Sequence, residues 1–210
     1  MNKIVIYGAG GFGREVQWLI ESINKVEKTW DILGYLDDGV EAGTQIDGYP
    51  VLGGLEKLKE YDESLAIVCA VGSAKTRKAI IEEIKRIGKY QFPNLIEPDV
   101  KMSERIEVGE GNIICAGNIL TVDLTLGDFN ILNLSCTVGH DVKMQSFVTV
   151  YPGVNISGCV ELEEGVELGT GSKIIQGKKI CGDVIIGAGA VVVRDIVEEG
   201  TYVGVPARRI

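Results

Sequence analysis

Aliphatic residues or methionine recur at every sixth position over residues 108–192. The positions keep this register without a slip: Val108, Ile114, Leu120, Leu126, Leu132, Val138, Met144, Val150, Ile156, Leu162, Leu168, Ile174, Ile180, Ile186 and Val192. A period of six fits neither the 3.6-residue period of an α-helix nor the alternation of an ordinary strand. It is typical of a parallel β-helix, in which each hexapeptide forms one flat side of a coil. With three sides to a coil, the pattern predicts a turn of about 18 residues and about five coils.

A second set of small residues supports this architecture. Two residues before several registered positions the chain carries a valine, as expected of a second inward position in a narrow prism: Val142, Val148, Val154, Val160 and Val166. Glycine often follows the registered residue directly, and we expect corners with positive φ there: Gly109, Gly127, Gly139, Gly169 and Gly187. Residues 200–210 break the period and are predicted to cap or flank the last coil, because an open end would expose backbone edges.

The first part of the chain has a different pattern. Short apolar runs, each bounded by glycine or polar residues, alternate with segments of helical spacing, which is typical of a parallel sheet with helical crossovers. Strands are predicted over residues 3–8, 32–36, 65–71 and 90–96, and helices over residues 14–20 and 75–86. The sequence therefore predicts a Rossmann-like α/β domain over residues 1–95 and a β-helix domain over residues 96–210.

The turn after the first predicted strand is rich in glycine. Residues 8–13 read GAGGFG and lie between a strand and a helix, where G-x-G-x-x-G lets the backbone approach a phosphate at the helix N-terminus. Asp37, at the end of the second strand, is placed for a ribose hydroxyl. The domain is half the size of a dinucleotide-binding domain, which favours a single nucleotide over NAD. An NAD-dependent oxidoreductase and a tight turn without a ligand stay open as alternatives.

Composition restricts the function further. The formal net charge of -9 and the pI near 4.8 argue against a nucleic-acid partner. The five cysteines show no spacing typical of a zinc site, and we expect reduced packing cysteines and no metal. No apolar run reaches the ~18 residues of a membrane span, and no leader pattern precedes the first strand, so a cytoplasmic protein is expected.

The single histidine, His140, is followed by Asp141 and lies two residues beyond registered Val138. It should therefore project from a coil rather than into the core. Imidazole, with an unperturbed pKa of about 6.5, suits general-base work, and a neighbouring carboxylate can orient it. A structural hydrogen bond fits the same spacing. Covalent catalysis is not favoured, because nearby Cys136 occupies an inward position and no G-x-S-x-G elbow occurs.

Taken together, the glycine loop, Asp37-Asp38, the hexapeptide repeats, His140-Asp141 and the C-terminal YVGVPARRI resemble a family of bacterial sugar acetyltransferases. This is the sialic acid O-acetyltransferase type, which includes N-acetyltransferases acting on nucleotide-linked 4-amino-4,6-dideoxy sugars of the bacillosamine, perosamine and viosamine pathways. The resemblance spans essentially the whole chain. It implies a left-handed β-helix, a homotrimer with active sites between subunits, acetyl-CoA as co-substrate in the groove between β-helices, and a role in polysaccharide biosynthesis.

The resemblance also implies roles for single residues. His140 is the implied general base and Asp141 the residue that polarises it. The implied substrate-binding residues are Gly10, Gly11, Phe12, Asp37, Asp38, Gly72, Lys75 and Asn133. The implied acetyl-CoA-binding residues are Thr149, Gly158, Thr170 and Ala188. Phe12 stands where many relatives have histidine, and Lys75 where at least one has an acidic residue, so the sugar and the nucleotide stay open.

The sequence thus predicts direct transfer of an acetyl group from acetyl-CoA to the 4-amino group of a nucleotide-linked sugar. Two alternatives remain at this point. One is O-acetylation of a sugar of the sialic acid type, which the same base would serve. The other is a nucleotide-binding β-helix scaffold without catalysis, which would need neither His140 nor Asp141.

Overall fold

The computed structural model describes residues 1–62 and 64–210. The chain divides into two compact units, one of residues 1–72 and 76–98, the other of residues 73–75 and 99–210. The domain limits of 1–95 and 96–210 stay a prediction. The compact units are defined by contacts within the chain, and such a unit need not be a domain that folds alone. Within the described residues, no helix is both long and apolar enough to cross a membrane.

The first unit is built on a five-stranded sheet in the order β3-β4-β2-β1-β5. Strands β1, β2, β4 and β5 are parallel, and β3 runs antiparallel to β4. The elements up to residue 98 are β1 (Asn2–Tyr7), α1 (Gly11–Val26), β2 (Trp30–Leu36), β3 (Gln45–Ile46), β4 (Tyr49–Gly53), a 3₁₀ helix (Leu55–Glu60), β5 (Ala66–Cys69), α2 (Ala74–Ile87) and β6 (Leu95–Ile96).

The central strand β1 is apolar because both faces of the sheet are covered. Ile4, Val5 and Ile6 are fully buried, and helix α1 turns a buried face that includes Val16 toward the core. Gly13 lets the start of α1 approach the end of β1, since a Cβ at this position would lie 1.9 Å from the carbonyl oxygen of Gly8. The glycine loop is therefore needed for packing as well as for any ligand.

One prediction for this sheet was wrong, and one element of it was not predicted. The run over residues 90–96 does not form a fourth strand of it; within the sheet only Gln91 makes an isolated bridge, to Ala66. The hairpin of β3 and β4 was missed. Its turn is Asp47-Gly48, both with positive φ (46° and 91°), and Asp-Gly is the dipeptide preferred in such hairpins.

The remaining chain forms a parallel β-helix of short strands. The strands are β7 (Lys101–Met102), β8 (Ile106–Val108), β9 (Ile113–Ile114), β10 (Ile119–Leu120), β11 (Leu124–Leu126), β12 (Ile131–Leu132), β13 (Thr137–Val138), β14 (Lys143–Met144), β15 (Thr149–Val150), β16 (Asn155–Ile156), β17 (Glu161–Leu162), β18 (Glu167–Leu168), β19 (Lys173–Ile174), β20 (Lys179–Ile180), β21 (Ile185–Ile186), β22 (Val191–Val192), β23 (Thr201–Val203) and β24 (Arg208–Arg209).

Three sheets make the sides of the prism. One contains β7, β10, β13, β16, β19 and β22, the second β8, β11, β14, β17 and β20, and the third includes β9, β12, β15, β18 and β21. The pairs are parallel and join residues 18 positions apart, as Val138 pairs with Ile156. This confirms the predicted coil of 18 residues.

The interior follows the predicted register. Leu132, Val138 and Val150 are fully buried at registered positions, and the valines two residues before the registered positions are buried to the same degree, as Val148 is. The tail closes the end of the stack as predicted: β23 pairs with β21, and β24 folds back antiparallel on β23.

The prediction for the corners was wrong. Positive φ occurs three residues after the registered position, not one, and is adopted by glycines such as Gly111 and Gly171 and by other residues such as Asp141 and Cys159. The glycines directly after the registered residue are needed for a different reason. A Cβ at Gly139 would lie 2.6 Å from the backbone nitrogen of Gly158, one coil further along, so glycine permits the close approach of adjacent coils.

We expect Gly169→Ala to lower the free energy of unfolding by about 1–3 kcal/mol, because overpacking against a rigid neighbour has costs of this size. The added Cβ would lie 2.5 Å from the carbonyl oxygen of Ile186 and 2.7 Å from the nitrogen of Ala188, both backbone atoms of the next coil. Urea unfolding measures the change. Thr170→Ala, in the same exposed turn, is the control and should stay within about 0.5 kcal/mol; an equal loss in both variants would contradict the explanation.

Candidate active site

The carboxyl end of β1 is tied to the end of β2 by Asp37. The backbone N–H of Ala9 donates to Asp37 Oδ2 at 2.9 Å, and the N–H of Gly39 donates to Oδ1 at 2.8 Å. Asp37 therefore shapes the glycine loop through both carboxylate oxygens. The predicted hydrogen bond from a ribose hydroxyl to Asp37 would have to use the remaining lone pairs of these two carboxylate oxygens.

Asp38 has a similar double role. It accepts a hydrogen bond from the hydroxyl of Tyr7 and another, at 3.1 Å, from the N–H of Leu55. Burial, and then the hydrogen bond to Asp38, raise the pKa of Tyr7 above its usual value of 10, so the hydroxyl stays protonated and donates. Tyr7 was not among the predicted site residues, although it is the last residue of β1 and stands directly before the glycine loop.

Helix α1 begins at Gly11, inside the glycine loop. Gly10 and Gly11 are exposed, and neither would place a Cβ within 4 Å of another atom. A helix N-terminus with free N–H groups attracts anions. Phe12, at the second position of the helix, is half-buried. The loop thus presents an open backbone surface of the kind a phosphate needs.

The end of β5 is held by a buried arginine. Arg77 is 1% exposed and donates to the carbonyl oxygens of Val71 at 2.7 Å and Gly72 at 2.9 Å. Because β5 is adjacent to β1 in the sheet, Gly72 follows the strand next to the glycine loop. Parallel sheets bind ligands at this edge, beyond the carboxyl ends of the strands. Lys75, near the start of α2, is exposed.

In the β-helix, His140 and Asp141 form a corner between β13 and β14. His140 Nδ1 lies 2.7 Å from Asp141 Oδ2, and the two side chains are 51% and 59% exposed. Asp141 has a φ of 58°, a conformation that aspartate and asparagine adopt more readily than most residues. An ionised carboxylate only accepts, so Nδ1 is the donor of this bond, and in the neutral ring Nε2 is then the nitrogen with the free lone pair.

The imidazole lies across Gly158, which is 18 residues further on and so one coil away. A Cβ at Gly158 would be 2.5 Å from His140 Nε2 and 2.6 Å from Cε1. The N–H of Cys159 donates to the carbonyl oxygen of His140 at 2.8 Å, which fixes the two coils at this corner. Glycine at position 158 is therefore a condition for this placement of the ring.

The cysteines fit the prediction only in part. Cys69, Cys115 and Cys136 are buried, whereas Cys159 is exposed and Cys181 is half-exposed. The prediction that all five are packing residues was wrong for Cys159, because it sits at a corner with a φ of 58° that turns its side chain outward.

Cys136 is excluded as a nucleophile by its surroundings. Its side chain is fully buried, and its Sγ donates to the carbonyl oxygen of Tyr151 at 3.2 Å. Burial raises the pKa of this thiol, which disfavours the thiolate that would attack a thioester. This agrees with the expectation that Cys136 points inward.

The other predicted residues of the β-helix differ in accessibility. Thr170 and Ala188 are exposed and occupy the same corner position of successive coils. Asn133 is half-buried, and its backbone carbonyl accepts a bond of 2.8 Å from the buried side chain of Asn118. Thr149 is 1% exposed, which leaves no side-chain surface for a cofactor.

Known proteins are similar to both parts of this chain. Residues 3–84 match the family model of the PglD N-terminal domain. The chain is 29% identical over 189 residues to GDP-perosamine N-acetyltransferase of Escherichia coli O157:H7, covering 90% of this chain and 85% of that protein. It is 31% identical to the acetyltransferase domain of PglB from Neisseria gonorrhoeae FA1090, solved with acetyl coenzyme A, with a TM-score of 0.90 over 100% of this chain and 99% of that chain. The chain belongs to the sugar N-acetyltransferase family.

A further solved member of this sugar N-acetyltransferase family is perosamine N-acetyltransferase from Caulobacter crescentus. A variant with one histidine replaced by asparagine, in complex with CoA and GDP-perosamine, is 30% identical to this chain, with a TM-score of 0.87 over 100% and 97% of the two chains. The predicted fold class and family are thereby confirmed, and the protein is an acyltransferase. Membership of an enzyme family argues against the non-catalytic scaffold.

Proposed function

We propose that this protein transfers the acetyl group of acetyl-CoA to the 4-amino group of a nucleotide-linked 4-amino-4,6-dideoxy sugar. The observation that carries the proposal is the pairing of His140 with Asp141 on an exposed corner of the β-helix. Related proteins support it, since one is solved with acetyl coenzyme A and another with CoA and GDP-perosamine. That a histidine was replaced in the Caulobacter relative agrees with a histidine of functional interest.

In the proposed reaction, His140 Nε2 accepts a proton from the amine as its nitrogen attacks the thioester carbonyl. The bond from carbon to nitrogen forms, the bond from carbon to sulfur breaks, and CoA leaves as its thiol after taking up a proton. Asp141 stabilises the imidazolium through Nδ1, 2.7 Å away. The backbone N–H of Gly158 is the proposed donor to the oxyanion, because this residue lies against the ring.

The unit of residues 1–72 and 76–98 is proposed to hold the nucleotide. Gly10 and Gly11 offer an open backbone and the N-terminus of α1 for a phosphate, with Phe12, Asp37, Asp38 and Gly72 completing the proposed site. Lys75 lies outside this unit, and its proposed role rests on the resemblance alone. Asn133 is proposed to contact the sugar. Thr170 and Ala188 are proposed to contact acetyl-CoA. Gly158 and Thr149 are both buried, so Gly158 is proposed to contribute only its backbone N–H beside the ring of His140, and Thr149 to support this surface from within.

We expect Gly11→Ala to fold normally and to raise the Kd of the nucleotide sugar by about tenfold, or about 1.4 kcal/mol. Position 11 starts α1, has no positive φ and has open space around a Cβ, so alanine is compatible with the backbone. A methyl group there would nevertheless stand between the helix N-terminus and a phosphate. Calorimetric titration measures the Kd, with Glu15→Ala, exposed on the same helix, as control. Unchanged affinity would contradict the phosphate contact.

A homotrimer is proposed as well, with active sites between subunits. Its support is a set of apolar side chains left exposed on the β-helix, with Ile119 at 43%, Ile175 at 41% and Val193 at 36%. Packing against other copies would remove these side chains from water. A cytoplasmic location is proposed because the five cysteines form no disulfide in the part of the chain that the structure describes, which suits a reducing compartment.

The acceptor is tested by thiol release from acetyl-CoA in a panel of sugars: UDP- and dTDP-linked 4-amino-4,6-dideoxy sugars, GDP-perosamine and free sialic acid. We expect turnover with one nucleotide-linked amino sugar, which would also name the nucleotide. Turnover with sialic acid alone would replace the proposal by O-acetylation.

A further inference from the structure

We propose that His140, Asp141 and Cys159 form a binding site for a thiophilic divalent cation such as Zn²⁺, and that the bound ion inhibits acetyl transfer. Within residues 1–62 and 64–210, these three side chains are the group whose potential ligand atoms lie close enough for one ion, all within 4.8 Å of one another. The inhibitory part of the inference rests on the proposed role of His140 as the base; the binding part does not.

The backbone brings these donors together. Asp141 and Cys159 are 18 residues apart and therefore occupy the same corner of successive coils, both with a φ of 58°. Their side chains consequently leave the β-helix side by side, with a spacing set by the distance between strands, about 4.8 Å. The 2.8 Å hydrogen bond from the N–H of Cys159 to the carbonyl of His140 holds this register.

The imidazole completes the group. Because Gly158 has no side chain, the ring of His140 lies directly over the residue that precedes Cys159. The side chains of His140 and Asp141 are each more than half exposed, and Cys159 is exposed as well, so small changes of rotamer are open to all three. Water reaches the site for ligand exchange.

The donor set suits zinc and its analogues. Zinc binds imidazole nitrogen at about 2.0–2.1 Å, carboxylate oxygen at about 2.0–2.2 Å and thiolate sulfur at about 2.3 Å, which separates tetrahedral ligands by about 3.2–3.8 Å. The observed separations extend up to 4.8 Å, so the widest of them must shorten by about 1.0–1.6 Å to reach this geometry. A thiolate and a carboxylate neutralise the charge of the ion, and three protein ligands leave a fourth position for water.

Binding would have a direct consequence for catalysis. The ion takes a lone pair of the imidazole that would otherwise accept the proton of the amine, and it draws Asp141 away from its orienting bond. Cys159 has no part in the proposed transfer itself. Its thiol would thus make the activity sensitive to free zinc without being needed for turnover.

Binding is tested first, on the whole protein and without substrates. Co²⁺ titration should give one equivalent of bound metal with the near-ultraviolet band of a thiolate-to-cobalt transition, and Zn²⁺ should displace the Co²⁺. Cys159→Ser should lose this band and bind at least about tenfold more weakly, which corresponds to about 1.4 kcal/mol. Cys181→Ser is the matched control, since its thiol is also accessible but lies outside the group, and it should bind like the unchanged protein.

Inhibition is tested second, in metal-free buffer to which Zn²⁺ is added. The unchanged protein and Cys181→Ser should lose activity and regain it with EDTA, whereas Cys159→Ser should need at least about tenfold more Zn²⁺ for the same loss. Absence of a thiolate band, or equal zinc binding and inhibition in Cys159→Ser, would overturn the proposal. Metal binding by a protein that acetylates no acceptor would support the metal site and contradict the proposed function. Turnover without metal binding would support the proposed function and contradict the metal site.

Discussion

Replacing His140 by alanine is expected to lower kcat by about 10²–10⁴, the range typical of a lost general base. This equals about 3–5 kcal/mol of transition-state stabilisation. The side chain is 51% exposed and contributes little to the core, so folding should be preserved. Steady-state kinetics gives kcat, and calorimetry should show the Kd of acetyl-CoA unchanged within about twofold, because the lost interaction belongs to the transition state.

Asp141→Asn is the matched variant for this experiment. Asparagine tolerates the φ of 58° as aspartate does, so the corner is kept while the charge next to Nδ1 is removed. Its loss in kcat should be smaller than that of His140→Ala. A loss below about fivefold in His140→Ala would be incompatible with a role of this residue as the base.

Gly158→Ala is expected to lower kcat by about 10²-fold while leaving the fold intact. The added Cβ would lie 2.5 Å from His140 Nε2, so the exposed ring must turn away from it. A displacement of about 1 Å at a reacting group has costs of this size. Position 158 has no positive φ, and the atoms that a Cβ would meet first belong to a movable side chain rather than to the backbone.

The measurements for Gly158→Ala are kcat and the midpoint of thermal unfolding. Ser157→Ala, a change at the exposed neighbouring position, should alter neither. If Gly158→Ala keeps full activity, the placement of the ring over this glycine is not the catalytic one. If Gly158→Ala unfolds, the loss of activity comes from disturbed packing of the coils. The kcat of Gly158→Ser, which also carries a Cβ, is then measured instead.

The β-helix could be predicted from the sequence in considerable detail because each six-residue unit repeats the same physical requirement. The inward side chain must be apolar in every unit, so the register of Leu132, Val138 and Val150 is specified many times over. Once the coil length is 18, the neighbours in adjacent coils follow by addition. Adding 18 to position 140 gives Gly158 as the neighbour of His140 in the next coil, and adding 18 to position 141 gives Cys159 as the neighbour of Asp141.

That addition was available from the sequence but was not made for Cys159, whose exposure was therefore missed. The reason for the glycines was harder to predict. The sequence does not distinguish a glycine that adopts positive φ from one that permits close backbone approach. The structure shows that Gly171 is of the first kind and Gly169 of the second.

The front sheet was predicted less completely, because each of its strands occurs once and no repeat along the chain specifies it again. The β3–β4 hairpin carries the Asp47-Gly48 signal, but its flanking strands have only two and five residues. The side-chain bonds of the site depend on tertiary placement. No pattern along the chain indicates that Tyr7 donates to Asp38 or that Arg77 is buried against the end of β5.

The most direct test of the central claim follows the acetyl group itself. Acetyl-CoA labelled with ¹³C in the acetyl carbonyl is incubated with the protein and the nucleotide-linked 4-amino sugar that gives turnover, and the product is examined by NMR and mass spectrometry. The account predicts one labelled acetyl group in amide linkage on the 4-amino nitrogen and none on the protein. Label in an ester on the sugar, or retained on the protein without an acetylated sugar, would contradict it.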